Sequence, residues 1–172
     1  VFLNAGCIAP DCGFEYCYLP FIPQALAIFE RYGGYDKFIE SPKDLFPKSS
    51  HYMVALSLVA MANCYSPDSS HPNGFKFICD VKNGLFLDDV WEQWKQYDPL
   101  TLMDTYMNNL RKSRFLSIHV GKDDEYYMNW GSRAFQQKLK IYNIAHIYQE
   151  HPWGHQGNEN VFISILEELK HS

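Results

Sequence analysis

From residue 115 onward the chain alternates strand, helix, strand and helix patterns, and this constrains the fold more than anything else in it. Residues 115–120 (FLSIHV) put Leu116, Ile118 and Val120 on one side with a period of two. Residues 144–148 (IAHIY) read as a second strand. Between them Met128, Phe135, Leu139 and Tyr142 mark a helix, and Phe162, Ile165, Leu166 and Leu169 mark another after the second strand. Strand–helix–strand–helix predicts a parallel α/β layer.

Residues 1–9 (VFLNAGCIA) form one more strand candidate, broken by Pro10-Asp11-Cys12-Gly13. About a hundred mostly helical residues separate it from the next strand. Pro23 suits the first turn of a helix that runs through Leu26, Ala27 and Phe29 to Gly33-Gly34. Pro42 and Pro47 interrupt a mixed stretch. Ser49 or Ser50 caps a helix holding the longest apolar run, residues 53–62 (MVALSLVAMA), which reads as buried. Residues 63–84 read as a long loop, with residues 75–81 a short strand or an extended edge. Asp88 or Asp89 caps a helix bearing Val90, Trp91, Trp94 and Tyr97, and Asp98-Pro99 ends it and starts another. The expected division is a core strand at 1–9, a helical cap or lid insertion at 10–113, and a core βαβα unit at 114–172. The fold class is α/β, with parallel strands, flanking helices and a large, mostly helical cap insertion.

Composition narrows the function classes. Hydrophobic residues at 47% argue against disorder, and aromatics at 16% read first as core rings and second as a pocket lining. A net charge of −5 gives no support to nucleic-acid binding; Lys112 and Arg114 are too few for a phosphate track. No apolar run approaches the ~18 residues of a membrane span. The five cysteines are an odd count, and Cys7, Cys12 and Cys17 recur without a zinc spacing, so they read as thiols, with one bridge left open. The chain opens at Val1 without a signal-peptide pattern. That start reads as a strand from the interior of a longer protein, although removal of an initiator Met also explains it. The compartment is left open.

Sites in open parallel sheets form beyond the carboxyl ends of the strands. Two loops fall there: Gly121-Lys122-Asp123-Asp124, and Pro152-Trp153-Gly154-His155-Gln156-Gly157. An acid after one strand and a histidine after the next is the order in which a Ser-His-Asp hydrolase of α/β type carries its last two triad members. A carboxylate there would orient the imidazole, and the imidazole would act as general base. Asp-Asp after a strand is also an ordinary helix-start signal. Glycines on either side of His155 leave room around the ring. Trp153 either lines a pocket or packs, and Trp91 and Trp94 are expected to pack the lid onto the sheet. The nucleophile is missing: no Gly-x-Ser-x-Gly occurs in the chain. Ser66, Ser132 and Cys7 do not sit on a nucleophile elbow.

The segment from Arg114 to His171 resembles the esterase D-like family of α/β hydrolases, on Leu116-Ser117-Ile118-His119-Val120-Gly121-Lys122-Asp123-Asp124-Glu125-Tyr126 and Pro152-Trp153-Gly154-His155. More loosely, Ala62-Asn63-Cys64-Tyr65-Ser66-Pro67 and Val90-Trp91-Glu92-Gln93-Trp94-Lys95-Gln96-Tyr97-Asp98-Pro99 are similar to the family's lid. The resemblance implies a carboxylic-ester hydrolase of acyl or feruloyl type. It puts the triad acid on Asp124, through a Gly-x-x-Asp pattern, rather than on Asp123, and the triad histidine on His155. It implies a small-molecule ester substrate and no metal or cofactor. It also implies a serine encoded roughly 25 residues ahead of Val1, one helix and strand back. The alternatives are a non-catalytic binding module of the same architecture, which could dimerise through an open sheet edge, and a thiol or metal protein built on Cys7, Cys12 and Cys17.

Overall fold

A computed structural model describes residues 3–41, 49–157 and 159–170. The chain forms two compact units, one comprising Val1–Cys17 with Asp98–Ser172, the other Tyr18–Tyr97. The second unit is shorter at both ends than the expected cap at 10–113. The expectations that rest on Val1, Phe2, Pro42 and Pro47 lie outside the described residues.

The first unit is built on a three-stranded, all-parallel sheet in the order β1 (Asn4–Ile8), β2 (Phe115–Gly121), β3 (Ile147–His151). β1 pairs with Phe115–His119 and β3 with Ser117–Gly121, so β2 lies between the other two, flanked on both sides at residues 117–119. Its seven residues are all buried. A parallel strand covered on both faces carries side chains inward in both directions, which is why Ser117 and His119 are as buried as Ile118. One face packs on α6 (Pro99–Leu110) and α7 (Met128–Ile141): Leu116 and Ile118 join Met103, Leu139 and Ile144. On the other face, Phe115 meets Val161 and Ile165 of α8 (Glu159–Lys170). Helices on both faces of a parallel sheet bury two apolar surfaces at once.

The second strand sits three residues later than the sequence pattern indicated. Ile144 belongs to the end of α7. Asn143 takes a left-handed φ of 51° and donates its N–H to Lys140 O, while Ile144 N–H goes to Leu139 O. This is a Schellman stop, in which the residue after the turn makes a hydrophobic contact back onto the helix. Ile144 and Leu139 make that contact. The strand proper then carries the polar Gln149 and Glu150, both exposed, on a sheet edge. The helical face of α8 also differs: Val161 and Ile165 are buried, whereas Phe162 and Leu166 point outward. A short helix, α1 (Phe14–Cys17), was not foreseen.

The second unit contains α2 (Ile22–Arg31), α3 (Tyr35–Glu40), α4 (Ser50–Tyr65) and α5 (Asp88–Lys95). Pro23 lies in the first turn of α2, and Gly33, at φ 83°, closes its end with Gly34 N–H bonded to Phe29 O. Ser49 caps α4, its Oγ accepting Tyr52 N–H at 3.2 Å. α4 is buried only along Tyr52, Ala55, Leu58, Val59 and Ala62; Met53 is exposed, so the apolar run is not wholly interior. Leu87 takes the N-cap position of α5, and Asp88 and Asp89 occupy its first turn. No regular strand forms at 75–81; two isolated antiparallel bridges, Pro67 to Phe75 and Cys79 to Phe86, take its place. Trp94 is fully buried, donates Nε1–H to Ser66 Oγ at 3.0 Å and packs edge-on against Tyr18 and Tyr65. Trp91 packs against Trp94 and Phe86. These ring contacts of both tryptophans lie inside their own unit. Among the described residues, no helix is long and apolar enough to cross a membrane.

Candidate active site

β2 and β3 end side by side, and the loops that follow them are stitched together by their backbones. Lys122 N–H donates to His151 O at 2.7 Å and Asp123 N–H to Trp153 O at 3.1 Å. The approach is close enough that a Cβ at Gly121 would overlap the carbonyls of Trp153 and Gly154. The strand ladder therefore continues beyond the sheet and holds the acid loop against the histidine loop.

On this frame Asp124 is buried and its carboxylate works on two sides. Oδ1 accepts Tyr126 N–H, in the turn leading into α7, at 2.9 Å and, more weakly, Met128 N–H, the first amide of the helix, at 3.4 Å. Oδ2 lies 3.0 Å from His155 Nδ1. The helix-start and histidine-orienting readings of this carboxylate are thus compatible, one on each oxygen. Asp123 is exposed. The Tyr126 ring stands edge-to-face to the His155 imidazole, with centroids 4.9 Å apart. Glu125 Oε2 accepts His155 N–H at 2.7 Å, and this bond holds the Glu125 carboxyl below its usual range.

Trp153 is half-buried. It stacks on His151 at 4.5 Å and 6° and packs against the Phe115–Val161–Ile165 cluster.

Behind it lies a group that sequence reasoning passed over. His119, fully buried on β2, faces His151, with Nδ1 3.1 Å from His151 Nε2 and Nε2 3.7 Å from Glu168 Oε2 on α8. A polar pair, Ser117 and His119, at alternate positions of a buried strand was the available signal. Burial pushes the His119 pKa down, opposed by Glu168 and assisted by His151. Its folded value lies below the unfolded value of about 6.5, so the unfolded chain takes up the proton first as pH falls. The stability contributed is complete above about pH 6.5 and is lost as pH drops through the folded value. The urea midpoint of the wild type is therefore expected to fall between pH 7.5 and 5.5 by more than that of His119→Gln. An equal fall in both proteins would contradict this.

The serines and the thiol weighed as nucleophiles are held or buried away from an activated state. Ser66 belongs to the second unit, its single hydroxyl proton lying within reach of two carbonyls, Lys76 O at 2.7 Å and Ala62 O at 3.0 Å. Ser132 is fully buried in α7. Burial pushes the Cys7 thiol up, away from the reactive thiolate. Cys12 and Cys17 are buried thiols also pushed up by burial. Among the described residues, no three His, Cys, Asp or Glu side chains are grouped to hold a metal ion. No protein-family model matches the chain, and none of the curated proteins compared with it is similar.

Proposed function

We propose that this chain supplies the acid and the base of a serine carboxylic-ester hydrolase with a partial α/β-hydrolase fold. The observation that carries the reading is the 3.0 Å contact between His155 Nδ1 and the buried Asp124 Oδ2, made across adjacent loops after adjacent parallel strands. Asp124 would keep the Nδ1 proton in place and stabilise the imidazolium. His155 Nε2 would take the proton of a serine hydroxyl as it attacks the ester carbonyl. It would return that proton to the leaving alcohol, and water would then release the acid. Trp153, beside His155, is proposed to line the substrate's approach. The substrate is a small-molecule ester, and the chemistry requires no metal or cofactor.

The nucleophile of this reading is a serine outside the 172 residues, since none of them forms a Gly-x-Ser-x-Gly elbow. The same absence favours the second reading, a non-catalytic module of this architecture, with dimerisation through the open edge of β1 as its corollary. The two separate on one experiment. The protein is expressed with whatever its gene encodes ahead of Val1, then treated with an aryl phosphonate and mapped by mass spectrometry. Labelling of a single serine on an elbow, blocked by a short-chain aryl ester, supports the hydrolase. No labelling and no ester turnover supports the binding module.

A further inference from the structure

The geometry points to Glu125 as a positioning residue that sets His155 from the backbone side, through the bond from its carboxylate to His155 N–H. The inference rests on the pairing of Asp124 with His155 proposed above. Three consecutive residues grip one histidine by three different features. Asp124 takes ring Nδ1, Tyr126 meets the ring edge-to-face, and Glu125 takes the main chain. The first two constrain the ring, but a ring is only as well placed as its Cα.

The main-chain stitching weakens where Glu125 begins to act. Backbone bonds tie Lys122 to His151 and Asp123 to Trp153. From there the acid loop turns into α7, through Tyr127 at φ 62°, and its amides at Tyr126 and Met128 face Asp124 Oδ1 instead. At this point a carboxylate reaches across to the histidine loop. Gly154 is shaped for it, because a Cβ there would overlap Glu125 Oε2. The Gly154-His155 step thus presents a bare backbone to an ionised acceptor, a stronger arrangement than a neutral hydrogen bond. The carboxylate also places negative charge near the imidazole that must become positive during proton transfer.

The test uses the 172-residue chain itself, labelled with ¹⁵N. Two readouts apply: amide hydrogen exchange at His155, and the hydrogen-bonded Nδ1 proton resonance of His155. Glu125→Ala is expected to speed His155 amide exchange about tenfold or more and to broaden or remove the Nδ1 proton signal. Exchange at Ile118 and Val120 on β2 should stay at the wild-type rate. Glu125→Gln, which keeps an acceptor oxygen, should restore most of the protection. Asp123→Ala, the exposed neighbour, should leave both readouts unchanged. The proposal is overturned if Glu125→Ala leaves both readouts as in wild type, or if Ile118 and Val120 accelerate as much as His155, which would mean general loosening. Asp124→Asn keeps the two failures apart. If it abolishes the Nδ1 signal while Glu125→Ala changes neither readout, the pairing stands and the role of Glu125 falls; if it leaves the signal intact, the pairing itself falls.

Discussion

On the proposed hydrolase reading, His155→Ala is expected to lower kcat for an aryl acetate by about 10⁴- to 10⁶-fold with little change in KM, in protein expressed with whatever its gene encodes ahead of Val1. In a serine hydrolase such a loss is large because the serine hydroxyl is a weak nucleophile without a base, and the acyl-enzyme needs the same imidazole to activate water. Asp124→Asn is the sharper variant. Its amide oxygen can still accept Tyr126 N–H, so the turn leading into α7 keeps that bond. An amide opposite His155 Nδ1 cannot hold the proton there, and the ring adopts the wrong tautomer. The expected loss is about 10⁴-fold in kcat at nearly wild-type stability. Asp124→Ala should show the same loss and cost a further ~1–3 kcal/mol in stability, because the Tyr126 amide loses its acceptor. The measurements are initial rates against ester concentration and urea titrations of the same preparations. Wild-type rates in His155→Ala would remove the site assignment altogether.

Gly131→Ala is expected to destabilise the first unit by about 3 kcal/mol or more, lowering the urea midpoint by roughly 1–3 M. The sign is opposite to the usual one. Inside a helix, alanine is normally better than glycine by about 1 kcal/mol. Here a Cβ on Gly131 would overlap Cys12 O and lie 2.6 Å from Cys12 C. The clash is with main chain, so a change of rotamer does not relieve it. The Cys12-Gly13 segment is also pinned, since Gly13 N–H donates to buried Asp98 Oδ1 at 2.8 Å and Gly13 sits at φ 67°. Asp98 itself is held by capping α6 through Leu100 N–H. A neutral or stabilising result would mean that α7 can move off this loop at little cost.

These two cases show where sequence reasoning was sufficient and where it stopped. The parallel βαβα order, the Pro23, Ser49 and Asp98-Pro99 helix starts and the Gly33 stop are local, because each depends on neighbours within a few residues. The loops carrying Asp124 and His155 were legible for a related reason. A residue just past a parallel strand is placed by topology alone, and adjacent strands bring their loops together.

Register and contact were not legible. Ile144 to Tyr148 has the composition of a strand, but Ile144 was needed to close α7 against Leu139, and the strand formed from less apolar residues after it. Phe162 and Leu166 fit a helical stripe as well as Val161 and Ile165 do, and only packing against Phe115 decided which pair is buried.

The chain by itself determined an α/β layer and an acid–histidine order, because hydrophobic period and turn chemistry act over short distances. Only the tertiary structure decided that one Asp124 oxygen takes the Tyr126 amide ahead of α7 while the other lies against His155. It also decided that His119 meets His151, that Glu125 reaches His155 N–H, and that Gly131 admits Cys12 O. Each of these joins residues on different elements, at distances set by how the elements pack, and no local rule encodes that separation.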